Sequence, residues 1–279
     1  MARQGKGQRL KLRALCTRRD ALGLTLSALL PACRSEKEPA PSHEPASLTS
    51  AAASNAGAEY GGLDVKLGGD LAERERGGTT VVLLHGFGAA GDDLVSLARA
   101  LRQPRTRYVV PAGLLEAPGG AGGRAWWMLG KRKPSYDEHE ELLVPSDALI
   151  AARQAVQGVL STIRERYAPE ALFIAGFSQG AMLALDVAAH KASGIDRVAV
   201  LSGALPQHTS AALGKPASKR PLVFVSHGRE DRVLRFAGAE HLVHRLEASG
   251  HTVTFQPFAG GHEIPEETSA ALRDFFAPA

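Results

Sequence analysis

The chain has 279 residues, 44% of them hydrophobic, which is enough to bury the core of one globular domain and too few for two full domains plus an extension. Its formal charge of +4 is carried by the start of the chain: seven of the 33 basic residues but only one of the 29 acidic residues precede Cys33, so the remainder is slightly acidic. That distribution removes nucleic acid as an expected partner, because the basicity does not belong to the part that folds.

The first 33 residues read as an export signal. A basic stretch closing in Thr17-Arg18-Arg19-Asp20 precedes the apolar run Ala21 to Leu30, which is too short to span a bilayer as a helix. The Arg18-Arg19 pair resembles a twin-arginine signal, and Leu30-Pro31-Ala32-Cys33 resembles the lipobox of bacterial lipoproteins. The resemblance implies cleavage before Cys33, a diacylglycerol on its thiol and a lipid anchor in a membrane of the bacterial cell envelope. Plain secretion, or a basic amphipathic N-terminus that is not processed, is the alternative. With Cys16 inside the signal and Cys33 acylated, no pair of thiols is left for a disulfide. Residues 34–60 are rich in Ala, Ser, Pro and Glu with almost no large apolar side chain, and read as a disordered tether.

From 61 to 279 short apolar runs alternate with longer amphipathic ones, the pattern of a parallel sheet with crossover helices. Strands are expected at Val81 to Leu84, Tyr108 to Pro111, Leu172 to Ala175, Val198 to Leu201, Leu222 to Ser226 and Thr252 to Phe255. Helices are expected at Asp92 to Leu101, Ser146 to Tyr167, Gln179 to His190, Phe236 to Ser249 and Pro265 to Phe275. The implied fold class is α/β, a single domain with a mostly parallel, doubly wound sheet, in which ligands bind beyond the carboxyl ends of the strands.

Chemistry-bearing residues collect in those loops. Gly176-Phe177-Ser178-Gln179-Gly180 matches G-x-S-x-G between a strand and a helix. A sharp turn there exposes the Ser178 hydroxyl, and side chains two residues to either side would clash. A serine needs a base and an orienting acid, in the chain order Ser, acid, His for this fold. Asp231 follows the strand ending at Ser226, with Glu230 and Glu263 as rival acids; His262 lies in a glycine-flanked loop after the last strand. Leu84-His85-Gly86-Phe87-Gly88 occupies the loop that supplies oxyanion donors, with His85 bracing it.

These motifs, together with Leu201-Ser202-Gly203, His227-Gly228-x-x-Asp231 and Gly261-His262-Glu263, resemble the phospholipase/carboxylesterase family, which includes acyl-protein thioesterases. The resemblance implies the α/β-hydrolase fold and hydrolysis of a small carboxylic ester or acyl substrate, with thioesters or lysophospholipids as candidate substrates, and with no metal and no cofactor. It implies Ser178, Asp231 and His262 as triad, and Phe87 and Gln179 as backbone oxyanion donors. A peptidase on the same scaffold and an inactive lipid-anchored binding protein are the competing readings. Between Ala112 and Val144, Trp126 and Trp127 read as pocket wall, with core packing as the alternative, and the charges Lys131-Arg132-Lys133 and Asp137 to Glu141 read as solvated surface.

Overall fold

The computed structural model describes residues 49–50, 60–120, 122–129, 134–190, 194–215 and 219–277. The export signal with Cys33, nearly all of the tether and the basic patch Lys131-Arg132-Lys133 lie outside the described residues.

Uninterrupted apolar runs make the central strands. β3 (Thr79–Leu84) and β4 (Thr106–Pro111) are buried at every position, and β7 (Ala171–Phe177) and β8 (Arg197–Leu201) at nearly every one. The side-chain period of two sorts each strand between two cores. Val82, Leu84, Leu172 and Ile174 face one layer, and Val81, Leu83, Phe173 and Ala175 face the other. Among the described residues the main sheet has eight strands, in the order β1-β2-β4-β3-β7-β8-β9-β10, where β1 is Thr49–Ser50, β2 is Val65–Gly69, β9 is Leu222–Gly228 and β10 is Val253–Phe258. From β4 to β10 every neighbouring pair is parallel.

β1 (Thr49–Ser50) and β2 (Val65–Gly69) close one edge antiparallel and were not expected from the sequence. β2 alternates buried and half-exposed positions and ends in two glycines, a weak signal beside the continuous central runs. So Thr49–Ser50, inside the segment read as tether, pairs with the sheet, and Tyr60 is buried with its hydroxyl 2.6 Å from that of Tyr167. A short ribbon joins β5 (Leu115–Glu116) to β6 (Arg124–Ala125).

Helices α2 (Ser146–Tyr167), α3 (Gln179–Ala189) and α5 (Phe236–Ala248) cover one face. α2 buries Leu149, Ala152, Val156, Val159, Leu160, Ile163 and Tyr167, a stripe at i, i+3, i+4 spacing. α1 (Val95–Ala100) and α6 (Glu266–Phe275) cover the other through Leu97, Leu101, Leu272 and Phe276. α1 starts three residues later than its amphipathic pattern suggests, because Asp92 to Leu94 form a turn in which the Asp92 carbonyl accepts from the Val95 amide. The seven-residue α4 (Gln207–Leu213) was also not expected. It is tied down by a buried charge: Asp186 on α3 accepts from Arg153 on α2 at 2.7 Å and from Thr209 on α4 at 2.8 Å.

Candidate active site

β7 runs directly into Ser178, which takes φ 53° and ψ −114° before α3 begins at Gln179. A non-glycine residue held there stores about 1–3 kcal/mol of strain. The surrounding backbone over-determines it: the Ser178 amide donates to Leu201 O at 2.9 Å, and two glycines allow the turn to close. A Cβ on Gly176 would stand 2.1 Å from Gly180 O, and one on Gly180 would stand 2.1 Å from Leu84 O. Both glycines are therefore required by close approach.

β9 and β10 are parallel neighbours, so the loops that leave their carboxyl ends lie side by side. A Cβ on Gly228 would meet Gly261 O at 2.2 Å, and the Arg229 and Glu230 amides donate to Phe258 O and Gly260 O, both at 2.9 Å. This close seam brings Asp231 and His262 together. His262 Nδ1 donates to Asp231 Oδ2 at 2.7 Å, and His262 Nε2 accepts from Ser178 Oγ at 2.8 Å. The rival acids stand elsewhere. Glu230 is exposed, and Glu263 accepts from the Gly261 amide of its own loop.

The Asp231 carboxylate is fully buried, which alone would push it up. Hydrogen bonds from His227 and His262, and from the Leu234 and Val233 amides to Oδ1 at 2.9 and 2.8 Å, outweigh burial and hold it well below the ordinary carboxylate range. An ionised Asp231 keeps the hydrogen of His262 on Nδ1 and leaves Nε2 free to take the serine proton.

Phe87, Ser178 and Gln179 line one cavity of about 390 Å³. Gln179 is the first residue of α3, so its amide has no carbonyl a turn earlier to bond, and Gly86 packs against Phe177 and Ser178. Apart from Ser135, the remaining described wall is apolar: Trp127, Leu142, Val144, Met182 and Leu234 among others, with half-exposed Met128, Leu129, Leu143 and Val233 at its edge.

The two tryptophans divide. Trp127 is in the cavity wall, whereas Trp126 is not, which corrects its assignment to the pocket. The Trp126 indole N–H donates to His85 O at 3.0 Å and its ring packs on the His85 ring, so the interior claims it. Glu141 likewise is no solvated charge: it is buried and accepts from Ser210 Oγ. The side chain of Gln179 was also not foreseen from the sequence. Its Oε1 accepts from Trp126 N at 2.9 Å and its Nε2 donates to Trp127 O at 2.8 Å, clamping the tryptophan segment to the serine turn. Ser202, at φ 46°, donates from its amide to Ser226 O and from Oγ to Glu263 O, and so braces the His262 loop from β8.

His85 braces the Leu84–Gly88 loop. Its Nδ1 donates to Gly86 O at 2.7 Å and its Nε2 accepts from Gly113 N at 2.8 Å, in a site where burial lowers its pKa below 6.5. The unfolded chain therefore binds a proton at His85 near pH 6.5 that the folded chain refuses until lower pH. Its contribution to stability is complete above 6.5 and is lost as pH falls below it. Melting temperature is expected to drop between pH 7.5 and 5.5, less steeply in His85→Gln; equal slopes in the two proteins would contradict this.

A family model described as phospholipase/carboxylesterase matches residues 71–278. A probable SOBER1-like carboxylesterase of Arabidopsis thaliana is 29% identical over 203 residues, covering 68% of this chain and 74% of that protein. Acyl-protein thioesterase 1 of Saccharomyces cerevisiae is 30% identical over 171 residues, 56% of this chain and 71% of that protein. Among solved structures, esterase PE8 superposes with a TM-score of 0.66 at 24% identity, over 76% of this chain and 97% of that one. A Bacillus cereus carboxylesterase does so with a TM-score of 0.60 at 18% identity, over 76% and 92%. The architecture is that of an α/β hydrolase. Within that class, the chain belongs to the phospholipase/carboxylesterase family.

Proposed function

We propose that this enzyme hydrolyses small esters with apolar acyl groups, thioesters included, through an acyl-enzyme on Ser178. The observation that carries the reading is the continuous hydrogen-bonded relay Ser178–His262–Asp231 opening into an apolar cavity with no charged side chain among its described lining residues. His262 takes the Ser178 proton as Oγ attacks the acyl carbonyl, and the Phe87 and Gln179 amides receive the developing oxyanion. The imidazolium returns its proton to the departing alcohol or thiol. Water, deprotonated by the same imidazole, then releases the acid and restores the serine. The Ser178–His262–Asp231 hydrogen bonds and an ionised Asp231 favour catalysis over a passive binding role, and the absence of charge among the described lining residues favours an acyl chain over a peptide. On the Arg18-Arg19 pair and the Leu30 to Cys33 run we further place the enzyme at the bacterial cell envelope.

Fluorophosphonate labelling, with turnover of p-nitrophenyl esters of increasing acyl length beside a thioester and a peptide, tests this. Wild-type protein is expected to label and to prefer esters and thioesters; an unlabelled wild type would refute the reading. Val144→Trp, which fills the cavity from the loop before α2, is expected to cut kcat/KM for long acyl chains at least about tenfold relative to acetate. An unchanged chain-length profile would show that the acyl group lies elsewhere.

A further inference from the structure

Asp231 receives a second imidazole. His227 Nε2 lies 3.2 Å from Asp231 Oδ2, the same oxygen that accepts from His262, and 3.0 Å from Leu234 O. Both contacts are to acceptors, so the hydrogen of the ring sits on Nε2 and is shared between carboxylate and carbonyl. The other nitrogen, Nδ1, is buried with no hydrogen-bond partner among the described residues. The ring is wholly enclosed, with Phe236 edge-on at 6.2 Å. A leucine or phenylalanine would fill such a place without leaving a polar atom unmatched, so packing does not account for an imidazole here. The contact to Asp231 does.

We propose that His227 is a positioning residue for the hydrolytic site: its Nε2–H holds Asp231 Oδ2 against His262 Nδ1. The inference rests on the reading of Ser178, Asp231 and His262 as the triad. His227 is suited to this because it belongs to the sheet. It lies in β9 opposite Pro257 of β10, whereas Asp231 and His262 are both on loops. With Oδ1 pinned by the Val233 and Leu234 amides and Oδ2 by two rings, the carboxylate has no freedom to turn away when His262 becomes an imidazolium. Leu234 O, bonded by the same N–H, ties the rest of the Asp231 turn to β9.

The test compares His227→Leu, which removes the donor, with His227→Gln, whose amide nitrogen reaches as far as Nε2. In the folded full-length protein His227→Leu is expected to lower kcat for a p-nitrophenyl ester about 10- to 100-fold, with KM within about twofold, the loss that accompanies small misplacement of a catalytic group. His227→Gln is expected to recover kcat to within about threefold of wild type. The downfield proton resonance of His262 Nδ1–H is expected to move in the leucine variant and return in the glutamine one. A merely structural histidine would lower the melting temperature and leave both kcat and that resonance in place. Should His227→Leu not fold, His227→Asn, whose shorter amide falls short of Asp231, replaces it against glutamine. Wild-type kcat in the leucine or asparagine variant, or a glutamine variant no better than either, overturns the proposal. The resonance needs no turnover, so an inactive wild type would refute the proposed activity while His227 is still judged by that signal.

Discussion

Ser178→Ala is expected to lower kcat for ester hydrolysis by about a million-fold, and His262→Ala by a similar factor. Without Oγ no acyl-enzyme forms, and without the imidazole the hydroxyl keeps its proton at neutral pH. The two groups act on one bond, 2.8 Å apart, so the double variant is expected to be no worse than either single one. Asp231→Asn should cost about 10⁴-fold, because an amide facing His262 Nδ1 favours the wrong tautomer. What survives in Ser178→Ala is the cavity and the proposed oxyanion donors, so substrate is expected to bind with an affinity close to wild type. Steady-state kinetics on purified protein, with fluorophosphonate labelling as a check on contaminants, reads all four. A Ser178→Ala enzyme keeping more than a few percent of wild-type turnover would place the nucleophile elsewhere.

The serine turn was legible because the residues that shape it, Gly176, Ser178 and Gly180, fall within five positions as a recognisable pattern, although the backbone that excludes a Cβ at Gly180 belongs to Leu84 and His85. Five of the six expected strands were legible for a similar reason, each a largely apolar run buried on two faces, whereas β10, read the same way, is an edge strand left mostly half-exposed. Asp231 and His262 could be picked out by order and by position after a strand. Other features depend on partners that composition does not announce. β2 has one buried face and a glycine end, so its pattern is weak, and α4 is barely two turns long. Trp126 and Trp127 are adjacent and alike, and only the position of His85 O sends one indole inward and leaves the other in the cavity wall. His227 belongs to a sequence motif, but its contact with Asp231 follows from a turn that folds back on β9. The same holds for the Gln179 side chain, whose partners are 52 and 53 residues away.

Gly180→Ala is expected to lower kcat by at least about 100-fold while improving the intrinsic helix propensity of α3. By propensity alone alanine gains about 1 kcal/mol at a helical position over glycine. The methyl, however, would lie 2.1 Å from Leu84 O and 2.5 Å from His85 O, both backbone atoms that cannot swing aside. Relief requires the start of α3 to retreat from the end of β3. That movement separates the Gln179 amide from Phe87, the two proposed halves of the oxyanion site, and shifts Ser178 relative to His262. Displacements of about 1 Å at such a centre cost on the order of 100-fold, and the overpacking itself costs about 1–3 kcal/mol. Gly214→Ala supplies the control. It lies at the end of α4 with φ −75°, and its added Cβ meets nothing within 4 Å among the described residues. That variant is expected to keep wild-type kcat and to be as stable or up to about 1 kcal/mol more stable. Kinetics and denaturant unfolding of the two variants side by side therefore separate the general effect of removing a glycine from the specific effect at the serine turn. Wild-type kcat in Gly180→Ala would show that the close contact of α3 with β3 is not what sets the nucleophile.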